Sequence, residues 1–172
     1  MRRYVLGFMF SPDLWQVLLI RKEKPSWQAG LLNGIGGKIE PGEMPLAAMV
    51  REFREETGLD TDPCDWHAFG RMGTIDGLSD SEARWDLSDD EWIVHCFTCT
   101  SSDYDCAKPM ESEMPVILHV SSASHANRIT GGPPPLMRNV PTMVQAARQR
   151  MLGYDPPNEV LLVYPNGKDD GQ

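Results

Sequence analysis

The sequence predicts an α/β fold, a mixed β-sheet with helices on its faces. Three observations lead there. Apolar runs with strand-like patterning recur at residues 4–10, 15–20, 66–72, 91–99, 116–120 and 160–164. Two other segments, 44–57 and 139–151, carry helical spacing instead. The two kinds of segment mix without strict strand–helix–strand alternation, which points to a mixed sheet.

The first two strands are joined by Ser11, Pro12, Asp13 and Leu14, residues suited to a hairpin connection. A loop over 21–31 leads to Asn33-Gly34-Ile35-Gly36-Gly37-Lys38, and Pro41-Gly42 forms a turn before Glu43. Pro45 suits a first helical turn, where its missing N–H is no loss, and Gly58 is placed to end that helix. Between the strands at 66–72 and 91–99 lies an acidic stretch, 73–90, rich in Gly, Ser and Asp. Connections longer than about 12–15 residues are more often functional or mobile than inert. The run Gly131-Gly132-Pro133-Pro134-Pro135 breaks the chain before the second helix.

The 172 residues favour one domain over 1–165, with 166–172 as a polar tail. Lys and Arg number 16 against 25 Asp and Glu, a net charge of -9. Such a surface repels a polyanion, so nucleic-acid polymers are poor partners, while a small anion is acceptable if metal ions neutralise the contact. No apolar run approaches the roughly 18 residues that span a bilayer. The start, Met1-Arg2-Arg3-Tyr4, has no signal-peptide core, and the expectation is a soluble cytoplasmic protein. No apolar surface stripe identifies an interface, which leaves the oligomeric state open. Cys96 and Cys99 have CxxC spacing but fall in a strand, where residues three apart face opposite ways; buried thiols are expected rather than a zinc site.

The helix at 44–57 separates two faces. Leu46, Met49, Val50 and Phe53 form one, and Glu52, Glu55 and Glu56 fill an adjoining arc of roughly 100°. Like charges at these spacings weaken a helix by about 0.2–0.5 kcal/mol per pair. A solvated acidic face relieved by Arg51 and Arg54 is one reading. The other is a site for a hard cation such as Mg²⁺ or Mn²⁺, because carboxylates on one rigid face present several oxygen ligands together. The glycines before the helix support the second reading: backbone can approach a ligand there, and a helix N-terminus favours anions.

Gly37, five residues, Glu43, seven residues, and then Arg51-Glu52-Phe53-Arg54-Glu55-Glu56-Thr57-Gly58-Leu59 resembles the Nudix box at every specified position. Seven fixed and two apolar residues at set spacing arise by chance in such a chain on the order of once in ten million. The resemblance implies an α/β/α sandwich whose loop–helix–loop holds Mg²⁺ (or Mn²⁺) against a diphosphate, and hydrolysis of a phosphoanhydride bond by water. It implies Glu52, Glu55 and Glu56 as metal ligands, one of them helping to deprotonate water, with the Gly37 carbonyl beside them. Arg51 would orient the glutamates and Glu43 would brace the loop, through Arg51.

Many Nudix enzymes add an acidic residue from outside the box. Glu113 is the expected one, Glu111 its neighbour in contention, and Asp86, Asp89, Asp90 and Glu91 weaker candidates. Lys38 is either a phosphate contact or an exposed surface lysine. The segment from Leu32 to Glu43 looks like that of Nudix enzymes acting on oxidised purine nucleoside triphosphates, where an asparagine at the position of Asn33 reaches the base. An amide offers both donor and acceptor to a purine edge, although Asn33 also suits an awkward backbone beside Gly34. Trp27, ahead of Trp85, is the expected stacking residue, or else it covers apolar surface. That branch's paired aspartates and tryptophan find no convincing match. The leading expectation is therefore a nucleoside triphosphate pyrophosphohydrolase, with oxidised or non-standard purines among its substrates, releasing a monophosphate and pyrophosphate. Cleavage of ADP-ribose or another nucleoside diphosphate derivative is the alternative. A non-catalytic nucleotide-binding Nudix protein is the third reading, and it would be favoured by lost box carboxylates; none is lost.

Overall fold

A computed structural model describes residues 2–74, 92–110, 113–121, 136–154 and, for the backbone, 160–164. Seven strands form one mixed sheet: β1 (Arg2–Phe10), β2 (Gln16–Arg21), β3 (Leu32–Asn33), β4 (His67–Thr74), β5 (Trp92–Thr100), β6 (Met114–His119) and β7 (Val160–Tyr164). Their order is β3-β2-β1-β5-β4-β7, with β6 paired to β2. β1 runs parallel to β5 along its whole length, from Arg2 opposite Trp92 to Phe10 opposite Thr100. β4 and β7 are also parallel, whereas the β1–β2, β2–β3, β2–β6 and β4–β5 pairs are antiparallel.

Strand alternation divides the core into two layers. Leu6, Phe8 and Phe10 of β1, with Val17 and Leu19 of β2, face helix α2 (Val140–Met151) and its buried Val140, Met143, Val144 and Ala147. Val5 and Met9, with Leu18 and Ile20, face helix α1 (Pro45–Thr57) through Ala48, Met49 and Phe53. A sheet sandwiched by one helix on each face is the α/β/α architecture expected from the resemblance. Gly7 allows the close approach of α1, because a Cβ there would collide with the Met49 side chain and the Trp66 ring.

The element boundaries differ from the expected ones in informative places. Trp66 lies outside β4; its ring packs edge-on against Phe53, centroids 5.0 Å apart, and its Nε1 donates to Thr61 Oγ1 at 2.9 Å. β6 begins at Met114 rather than 116, because Met114 and Pro115 already pair with Arg21 and Ile20. The two-residue strand β3 was not expected; it pairs Leu32 and Asn33 with Arg21 and Ile20 and so ties the 22–31 loop back to the sheet. Cys96 and Cys99 are both buried and unpaired, and Cys64 and Cys106 are exposed and also free. Among the described residues, no helix is long and apolar enough to cross a membrane.

Candidate active site

The glycine segment is fixed before α1 begins. It lies against β1: Val5 N donates to Gly37 O (2.9 Å), Gly7 N to Ile35 O (2.7 Å) and Ile35 N to Gly7 O (3.0 Å). Gly36 has φ 153°, and a Cβ there would strike the Val5 carbonyl. At Gly37 a Cβ would fall inside contact distance of the Glu52 carboxylate. The loop and the acidic face of α1 thus meet with no room for a side chain between them. Pro45 occupies the first helical turn, and Gly58, at φ 71°, closes the last one by donating to Arg54 O at 2.8 Å.

Two cations divide the carboxylates. Arg51 donates from Nε and Nη2 to the two oxygens of Glu43, both at 2.9 Å. Its Nη1 reaches Glu52 at 2.8 Å and Glu55 at 3.0 Å, and Nη2 also reaches the Lys38 carbonyl at 3.1 Å. One guanidinium therefore joins the loop to two of the box glutamates, a task suited to its fixed planar fork of donors. Arg54 does not share this work; it turns to Asp60 in an exposed pair at 3.1 Å. Lys22 is the second cation, with Nζ 2.6 Å from Glu113 Oε2 and 3.5 Å from Glu56 Oε1. Glu56 Oε2 accepts from Gly36 N at 3.1 Å, and Glu113 Oε1 accepts from Glu23 N at 3.3 Å.

The electrostatics follow from this burial. Desolvation pushes the Glu56 carboxyl up to about 7; Lys22 opposes that shift and the nearby Glu113 adds to it. Burial also raises Glu52, against the pull of Arg51. Glu43 moves the other way, down to about 2, because of the Arg51 hydrogen bonds and then the Glu40 N–H. Burial draws the Lys22 ammonium down, but Glu56 and Glu113 outweigh it and hold it above its ordinary range.

Glu52, Glu55, Glu56 and Arg51 stand together on α1, and the tertiary fold adds Glu113, the residue just before β6. The Gly37 carbonyl accepts from Val5 N, which leaves its second lone pair for another partner. Among the described residues, no three acidic, His or Cys side chains converge as a ready-made metal cluster, since Arg51 and Lys22 lie between them. The donor set nevertheless fits a hard divalent cation. It consists of carboxylate and carbonyl oxygens, and Glu56 and Glu113, both largely buried, need positive charge beside them.

Beside this cluster opens a cavity of about 730 Å³, within the usual size of a small-molecule site. Gly36, Gly37 and Lys22 line one part, and Tyr4, Met72, Trp92, Met137 and Asn139 another. Asn33 and Trp27 are on its wall as well; Asn33 Oδ1 accepts from Gly34 N at 2.9 Å, and Trp27 is 67% exposed. Lys38 is exposed and is not among the lining residues, so the cationic wall is built instead by Lys22, Lys24 and Arg2. Glu111, Trp85, Asp86, Asp89, Asp90 and Glu91 lie outside the described residues.

Lys22 and Asn139 were missed in the sequence. Both carried a signal: Lys22 continues the alternation of Leu18 and Ile20, which face α1, and Asn139 immediately precedes the second helix.

The chain is thus an α/β/α sandwich whose acidic helix seats against a glycine loop beside a cation-lined cavity. A model of the NUDIX domain matches residues 1–126, and the chain belongs to the Nudix family of hydrolases. The CTP pyrophosphohydrolase of Escherichia coli is 47% identical over 45 residues, 26% of this chain. The matching stretch is 33% of that relative's own length. Among solved structures, the NUDIX domain of Shewanella oneidensis NrtR in complex with ADP ribose superposes with a TM-score of 0.63 at 17% identity, covering 87% of each chain. The mutator MutT protein of Bacillus halodurans gives 0.60 at 17% identity, covering 96% of this chain and 90% of its own.

Proposed function

We propose that the protein hydrolyses a nucleoside triphosphate to a nucleoside monophosphate and pyrophosphate, with Mg²⁺ (or Mn²⁺ in its place) bound by Glu52, Glu55, Glu56 and the Gly37 carbonyl. Oxidised or otherwise non-standard purines are the leading bases. The observation that carries this reading is the seating of the Glu52 carboxylate against Gly37, which itself lines a cavity walled by Lys22, Lys24 and Arg2, in a chain of net charge -9. A local cationic wall on an acidic protein selects a small anion over a polyanion.

The divalent ion supplies charge neutralisation at the phosphate oxygens and acidifies a bound water. The chain's own residues do the positioning. Arg51 holds Glu52 and Glu55 in place and, through Glu43, locks them to the loop. Water attacks one phosphorus of the anhydride bridge between the monophosphate and the pyrophosphate, the bridging P–O bond breaks, and the product not attacked leaves with the bond's electron pair. A glutamate of the cluster takes the proton from water, and Glu113 completes the acidic wall. Asn33 and Asn139 present amides to the base, and exposed Trp27 stacks on it. Four unpaired cysteines accord with a reducing cytoplasm.

A second reading, cleavage of ADP-ribose or a related nucleoside diphosphate derivative, draws support from the ADP ribose bound in the Shewanella oneidensis domain. Incubation with Mg²⁺ and a panel containing oxidised dGTP, dGTP, CTP and ADP-ribose, read by chromatography, separates the two. Monophosphate plus pyrophosphate from a triphosphate supports the first reading. AMP plus ribose phosphate, with triphosphates untouched, replaces it with the second.

A further inference from the structure

Lys22 sits immediately after β2, and its backbone is held on both sides: Lys22 N donates to Leu31 O at 2.9 Å and Gly30 N donates to Lys22 O at 2.8 Å. Being two residues beyond Ile20, its side chain falls on the α1 face of the sheet, under the acidic helix. The side chain is 14% exposed, and its two partners, Glu56 and Glu113, are 12% and 11% exposed. The ammonium thus lies between two carboxylates that come from separate elements and are 57 residues apart in the chain (113 − 56). A divalent cation binding those same oxygens would meet a fixed positive charge a few ångströms away.

We infer that Lys22 is a built-in competitor for the metal at Glu56 and Glu113: it neutralises and spaces the two carboxylates, and a divalent ion binds them only by displacing its ammonium. The inference rests on the metal site proposed above and extends it from Glu56 to Glu113. The geometry makes displacement feasible, since Lys22 also lines the cavity, where a freed ammonium meets the anionic substrate. Metal loading and readiness for a phosphate-bearing ligand are thereby linked through one side chain.

The test is Mn²⁺ binding to the nucleotide-free protein, followed by electron paramagnetic resonance, for the wild type, Lys22→Met and Lys22→Arg. Removing a like charge within about 4 Å of a half-buried ion corresponds to roughly a tenfold gain or more. Lys22→Met should bind Mn²⁺ about tenfold more tightly than wild type, and Lys22→Arg, which keeps the charge, within about twofold of it. A lysine that merely supports the fold would weaken metal binding when removed. Equal or weaker affinity in Lys22→Met overturns the inference while leaving the metal site standing. Failure of every protein, wild type included, to bind Mn²⁺ overturns both. Should Lys22→Met not fold, the ¹⁵N resonance of the Lys22 ammonium in the wild type decides: it should shift on adding Mg²⁺, and an unchanged signal refutes displacement.

Discussion

Arg51 grips both carboxylate oxygens of Glu43, each at 2.9 Å, across the turn that joins the glycine loop to α1. The same guanidinium touches Glu52 and Glu55, so loop and helix share a single rigid link. A bidentate charged pair is stronger and more directional than an exposed one such as Arg54–Asp60, which contributes about 0–1 kcal/mol.

Arg51→Lys keeps the charge and loses the fork. A lysine cannot satisfy Glu43 with two parallel bonds and still reach Glu52, Glu55 and the Lys38 carbonyl. Turnover is expected to fall by roughly 10–100-fold through misplacement of the glutamates, with a stability loss of about 1–3 kcal/mol. Steady-state kinetics with Mg²⁺ and urea denaturation check the two parts. Wild-type kcat in this variant removes the positioning role.

The Glu43–Arg51 pair should also appear in the acid limb of stability. Glu43 is held at about 2 in the folded protein, below its ordinary 4.5. A depressed carboxylate contributes stability that is fully present above the unfolded value and is lost as pH falls through the folded one. Because the pair is at the surface of the turn, that contribution is discounted to about 1–2 kcal/mol. The difference in urea midpoint between wild type and Glu43→Gln should be constant from pH 7 to about 5.5 and shrink from about pH 5 down to about 2. A gap independent of pH rules out the ion pair as its source.

Glu56→Gln removes one carboxylate from the acidic face while retaining an oxygen able to accept from Gly36 N. Turnover is expected to fall by roughly 100-fold or more, with an unchanged circular dichroism spectrum. Near wild-type turnover would take Glu56 out of the mechanism.

The cysteines offer a check on the fold itself. Cys96 and Cys99 are buried in β5, and burial pushes the Cys96 thiol up to about 12 and Cys99 in the same direction. Cys64 and Cys106 are exposed. A disulfide-exchange reagent should therefore titrate two thiols in the native protein and four in denaturant. Rapid reaction of all four without denaturant contradicts the placement of β5.

Much of this molecule is legible one segment at a time. The faces of α1, its Pro45 entry and Gly58 exit, and the grouping of Glu52, Glu55 and Glu56 follow from spacing along one helix, because the helical repeat converts sequence distance directly into position. The alternation of β1 likewise separates Leu6, Phe8 and Phe10 from Val5 and Met9. Tertiary structure alone decided what lies across from what. That β1 pairs in parallel with β5, that Lys22 passes under α1 to meet Glu113, and that Asn139 shares a cavity with Asn33 depend on contacts between residues far apart in the chain. Such pairings are selected by burial of two apolar faces and by compensation of buried charge. Neither is encoded in any single stretch of residues, and both appear only when the whole sheet is assembled.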